Sequence, residues 1–174
     1  YNFSDFIGLN LKGAYYHYIG DNLSKIAHAR ITGNKDSNSL DNNFNYTSRF
    51  NILNGFSKLI FRINENFPLS LSLDYLYNLG SVSDNKAYQL SAKIGNSSSA
   101  FLSYNFKYLE KDSTLSVFVE DQIGGTDILA HEGIFGVKLF PRTIFSISLQ
   151  SHNNIKTPLP NNIYTLRTNL IQGF

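Results

Sequence analysis

The chain has no cysteine, no methionine and no tryptophan among its 174 residues. Without cysteine there can be no disulfide and no thiolate metal site. Without an initiator methionine the sequence reads as a processed chain or a fragment. Charge is scarce as well. Fifteen Lys and Arg against 13 Asp and Glu leave a formal net charge of +2, too little to argue for nucleic acid or an anionic membrane surface as partner. The four prolines, Pro68, Pro141, Pro158 and Pro160, fall in expected turns or at strand starts, where no ladder donor is lost. No signal peptide is recognisable, and no apolar run approaches the ~18 residues of a spanning helix. This argues against a helical membrane protein. The mean hydropathy of −0.20 suggests a soluble protein, but a transmembrane barrel shows lipid only every second residue and is polar on average.

What is present in quantity is Gly, Asn, Ser and aromatic residues, the last at 14% and all Tyr or Phe. Their dominant period is two. In "LSLSLDYLY" (69–77), Leu69, Leu71, Leu73, Tyr75 and Tyr77 share one face, and Ser70, Ser72 and Asp74 the other. "YQLSAKI", "FLSYNFKY" and "TIFSISLQ" repeat the pattern. The alternation predicts about nine strands, at 4–19, 23–33, 48–64, 68–80, 86–96, 99–111, 128–140, 143–152 and 162–174. Their connections alternate between short (20–22, 64–67, 95–99, 140–142) and long (34–47, 81–85, 112–127, 153–161). Short turns at one end and long loops at the other describe an all-β, antiparallel transmembrane β-barrel. A soluble sandwich or lipocalin-like barrel shares the period but not this segregation.

Charge placement sharpens the reading. The apolar faces lack charge through their middles. The opposite faces carry Lys12, Arg30, Lys58, Arg62, Asp74, Lys93, Lys107, Glu132, Lys138 and Arg167, the expected pore-lining set. Leu71, Leu73, Tyr104, Phe106, Phe145 and Ile147 are expected to face lipid. Tyr77, Tyr88, Tyr108 and Tyr164 on the long-loop side, with Phe140 and Phe174 on the short-turn side, suit two aromatic girdles. The 112–127 loop holds Asp112, Glu120, Asp121 and Asp127 and no Lys or Arg, and its "STLSVFVE" is too apolar for a freely solvated loop. It either folds inward, setting Glu120, Asp121 and Asp127 at a constriction opposite a basic wall, or extends its strand above the membrane.

Catalytic groups are sparse. The histidines are His17, His28, His131 and His152, and His131 beside Glu132 and near Asp127 is the best candidate pair for acid–base work. No zinc-ligand spacing or phosphate loop is present. "GGTD" (124–127) reads as turn chemistry. Neither an enzyme nor a cofactor is expected.

From about residue 48 the chain resembles a family of bacterial outer-membrane porins. The likeness is carried by "RFNILNGFSKLIFRINENFPLSLSLDYLYNLG" (49–80), by "SYNFKYLEKDSTLSVFVEDQIGGTDILAHEGIFGVKLF" (103–140) and by "YTLRTNLIQGF" (164–174). The last looks like a closing strand whose terminal aromatic, Phe174, is read by the barrel-assembly machinery. Gln172 and the short glycine run at Gly124 and Gly125 depart from the family's pattern. The resemblance implies passive diffusion of small hydrophilic solutes or ions across the bacterial outer membrane, with lipid around the barrel and a homo-oligomer among the possible states. Family members are longer, and an odd strand count makes the first strand descend from the outside. Residues 1–174 are therefore expected to be one domain forming the C-terminal portion of a larger barrel. The alternative is a small eight-stranded barrel with a structural or adhesive role and no open channel.

Overall fold

The computed structural model describes residues 6–18, 46–64, 67–115, 125–156 and 158–172. They form eight strands: β1 (Ile7–Tyr18), β2 (Phe50–Phe61), β3 (Leu69–Asn78), β4 (Lys86–Gly95), β5 (Ala100–Leu109), β6 (Ile128–Phe140), β7 (Thr143–Asn154) and β8 (Ile163–Gln172). All eight belong to one antiparallel sheet in chain order. The strands run 10 to 13 residues, close to the ~9–11 residues that a tilted strand needs to cross a bilayer core. No β1–β8 pairing is present among the described residues, so the sheet is not closed.

Eight of the nine expected strands are present within a few residues of their predicted limits. The ninth, 23–33, lies outside the described residues. β1 pairs directly and antiparallel with β2 from Ile7↔Phe61 to Tyr18↔Phe50, so no strand intervenes between them in the sheet. This corrects the expected direction of the first strand. β1 starts beside the end of β2, at the short-turn end, and β8 finishes there too, with Gln172 opposite Thr143. With eight strands among the described residues, both ends of the sheet lie on one side.

The turn chemistry accounts for the short end. Gly95 closes β4 at φ +86°, where a side chain is strained, and a Cβ there would lie 2.2 Å from the carbonyl oxygen of Ala100. Asn96 then braces the turn, its Oδ1 accepting from the Ser98 amide at 2.8 Å. Pro141 and Arg142 alone separate β6 from β7, next to a register shift between Lys138 and Phe140.

Burial on the two faces is the reverse of a soluble sheet. Side chains of the apolar face are open: Leu73 is 39% exposed, Leu102 56% and Leu166 66%. On the polar face Gln150 is 3% exposed, Ser148 6% and Lys107 7%. The polar face covers itself because the sheet curls. The β3–β4 and β7–β8 loops stand four strand spacings apart in the sheet order, roughly 19 Å along a flat sheet. Yet Lys156 of the second forms an ion pair with Asp84 of the first.

Candidate functional site

Pairing register places the polar face in rows, since side chains directly opposite across a ladder share a face. One row reads Lys12, Phe56, Asp74, Gln89, Lys107, Ala130, His152 and Ile163. The next toward the short turns is Asn10, Lys58, Ser72, Ser91, Asn105, Glu132, Gln150 and Thr165. The third is Gly8, Ile60, Ser70, Lys93, Ser103, Ile134, Ser148 and Arg167. Lys138 lies on the same face, opposite Ile144.

Of the ten charged residues expected on this wall, Lys12, Lys58, Asp74, Lys93, Lys107, Glu132, Lys138 and Arg167 therefore share one face. Arg62 follows β2, exposed, with its amide donating to the Phe6 carbonyl at 2.8 Å. Arg30 lies outside the described residues, as do Glu120, Asp121 and Phe174. The opposite face, followed through the same register, carries one formal charge within its strands, Lys86 at the start of β4 opposite Tyr77.

Hydrogen bonds to neutral neighbours hold the two wall acids. Asn54 Nδ2 donates to Asp74, and Asn105 Nδ2 donates to Glu132 at 3.0 Å. Arg167 donates to Gln150 Oε1 at 3.2 Å. Two lysines lie over rings instead: the Lys93 ammonium is 4.1 Å from the Phe101 ring centre, and that of Lys12 5.9 Å from Phe56. Phe101 can lie flat against β6 because its neighbour is Gly136, where a Cβ would come within 2.3 Å of the ring.

The long-loop end of this face is apolar and covered. After β5 the chain turns across the mouth of the curled sheet and inserts Leu115, 1% exposed, against Phe50 and Ile52, with Tyr18, Tyr46 and Leu76 around them. Asp112, also buried, anchors the turn. Its carboxylate accepts from Ser48 Oγ at 3.0 Å, its carbonyl from Asn78 Nδ2 at 2.7 Å, and its amide donates to the Asp84 carbonyl at 2.8 Å. Thr126 Oγ1 donates to the Lys111 carbonyl at 2.6 Å. The start of the 112–127 segment thus lies inward. Asp127 sits at φ +64°, its carboxyl pushed above the usual carboxylate range by burial, a rise opposed by the Lys156 amide and ammonium.

The candidate pair His131 and Glu132 is not brought together. Adjacent strand residues point to opposite faces: Glu132 lies on the polar face, and His131 on the apolar one, hydrogen-bonded to the Tyr104 hydroxyl at 2.7 Å. Tyr88 and Tyr108 stack on that same face with ring centres 5.0 Å apart. Among the described residues no three His, Asp or Glu side chains converge as metal ligands.

Sequence reasoning placed Ser70, Ser72, Ser91 and Ser103 on the polar faces but not beside Lys58 and Lys93, and it missed the ring beneath Lys93 and the burial site of Leu115. The apolar character of "STLSVFVE" was the one signal for the last. No family model, curated protein or solved structure matches this chain.

Proposed function

We propose that the chain forms the wall of a bacterial outer-membrane β-barrel and that its polar face lines a path for small hydrophilic solutes or ions, as in a porin. The observation that carries this reading is the inverted burial: Gln150, Ser148 and Lys107 are covered while Leu73, Leu102 and Leu166 are open. In water such a surface is an aggregation site, because soluble monomers rarely expose apolar patches beyond a few hundred Å². In lipid it is the favourable arrangement, with outward apolar residues alternating with inward polar ones. Tyr75, Tyr88 and Tyr108 in one cross-strand row at the long-loop end, and Phe6, Phe67 and Phe140 exposed at the short-turn end, suit the two interfacial girdles. Unpaired backbone is not tolerated within a bilayer, and β1 and β8, the two ends of the sheet order, do not pair with each other among the described residues. Closure between them, or further strands joining them, meets that need.

A second reading, a structural barrel without an open channel, is favoured by the seal at Leu115. A closed eight-stranded barrel encloses a space that side chains can fill, and Leu115 packs on Phe50 and Ile52 at the long-loop end of the polar face. Planar-bilayer recordings separate the two. Stepwise conductance of the unaltered protein supports the porin. If it is silent while Leu115→Asp conducts, the seal is a closed gate on a porin path. Silence from both leaves the structural barrel.

A further inference from the structure

We propose that Lys58 and Lys93, with the hydroxyls of Ser70, Ser72, Ser91 and Ser103, form a subsite for a small free oxyanion, phosphate being the simplest member of the class. The proposal rests on reading the polar face as the solvent-facing one.

The register assembles the group. Ser72 lies directly across from Lys58, and Ser91 beyond it in the same row. In the next row Lys93 stands between Ser70 on one side and Ser103 on the other. The lysines come from β2 and β4, about 9.5 Å apart across the intervening strand, and that strand, β3, presents Ser70 and Ser72 between them. An oxyanion above β3 and β4 would have the Lys58 ammonium on its β2 side and the Lys93 ammonium, over Phe101 of β5, on its other side, with hydroxyl donors beneath. Each ammonium carries three donors and each hydroxyl one, a set that matches a ligand with several acceptor oxygens and no donor requirement.

Three observations favour an anion over a structural role for these charges. Neither lysine has an ion-pair partner among the described residues. The nearest wall acids, Asp74 and Glu132, already accept from Asn54 and Asn105. Phe101 positions Lys93 from below without neutralising it, since a ring face attracts the cation but leaves its formal charge in place. Lys58 and Lys93 also lie within electrostatic reach of each other. Two like charges side by side are unfavourable when alone, and an anion between them relieves that repulsion.

The test is equilibrium binding of inorganic phosphate to the full chain, folded in a neutral alkyl-glycoside detergent so that no lipid phosphate is present, followed by 31P NMR titration against chloride at matched ionic strength. The expected result is saturable phosphate binding that chloride does not reproduce. Lys58→Gln and Lys93→Gln should each weaken it by about tenfold or more, the equivalent of ~1.4 kcal/mol. Lys138→Gln, which removes the same charge elsewhere on the face, should change it less than about twofold by the same scale. Lys58→Arg should restore most of the loss. Absence of saturable binding, or equal weakening in all three glutamine variants, overturns the subsite and leaves only a diffuse positive field. The readout does not depend on conduction. A conducting protein that fails to bind phosphate loses the subsite alone, and a silent one that binds it keeps the subsite without the porin.

Discussion

Leu73 and Ser72 are neighbours in β3 with opposite prospects. Leu73 lies on the open apolar face, opposite Leu90 of β4, whereas Ser72 lies on the covered polar face, opposite Lys58 and Ser91. If the apolar face meets hydrocarbon, Leu73→Arg places an ion in the bilayer and costs ~2–4 kcal/mol at midplane depth. Ser72→Arg keeps its ion on the lumen side. The first variant should fail to fold into liposomes while the second folds, as read by the change in gel mobility between heated and unheated samples. Equal tolerance at both positions contradicts the assignment of faces. Residue-level parity was legible from the start, because "LSLSLDYLY" alternates without interruption and the sequences of β4, β5 and β7 repeat it. Single-residue surroundings were not. That Phe101 lies under Lys93 depends on Gly136 two strands away from β4, a relation set by register across a ladder and invisible to local period.

At the scale of elements, strand positions were readable because period-two runs end at turn residues such as Gly95, Asn96 and Pro141. The ninth expected strand, 23–33, lies outside the described residues, and the direct β1–β2 pairing shows only that it does not sit between those two. The inward course of 110–115 was half legible: Leu115 is too apolar for solvent, but only the curl of the sheet shows where it goes. That curl also brings together two loops whose behaviour with pH follows from their charges. Lys156 is held above the ordinary lysine range by its hydrogen bond to Asp84, partly opposed by desolvation and supported by the charges of Asp84, Asp127 and Glu110. A raised lysine contributes its tie in full below its unfolded pKa and loses it as pH rises through the folded one. Asp127, also raised, runs in the same direction in the acid window: its protonated form is the favoured one in the fold, so its contribution is present below the usual carboxylate pKa and lost as pH rises through the folded value. Lys156 is exposed and Asp84 half-buried, so the effect is local mobility and not global stability. A nitroxide at Leu159 should be immobilised at neutral pH and loosen above the lysine range, and Lys156→Met should loosen it already at neutral pH. Identical, pH-independent spectra from both would remove the tie.

For the molecule as a whole, the strongest argument is the segregation of charge. Of the wall residues placed on the polar face, six are basic, Lys12, Lys58, Lys93, Lys107, Lys138 and Arg167, and two are acidic, Asp74 and Glu132. A positive wall concentrates anions and repels cations, an effect that fades as salt shortens the Debye length from ~10 Å at 0.1 M. The account predicts mild anion selectivity at low salt, read as reversal potential under a salt gradient. Lys107→Ala should weaken it, while clear cation selectivity, unmoved by this change, places the side chains away from the conducting path. The all-β, antiparallel sheet was legible at this scale from alternation and loop lengths, but alternation alone gives the same period to a soluble barrel and to an inverted one. The burial of the two faces is what the proposal rests on, and its central claim is that lipid meets the apolar face. Because the chain has no native cysteine, a single spin label can be introduced at will. The decisive measurement is its collision accessibility to oxygen, which partitions into lipid, and to a water-soluble nickel chelate, with labels at Leu73, Leu90, Tyr104 and Ile147 and at Ser72, Ser91, Asn105 and Ser148 in the liposome-folded protein. The account predicts high oxygen and low chelate accessibility at the first four positions and the reverse preference at the second four. Chelate access at the first four equal to that at the second contradicts it.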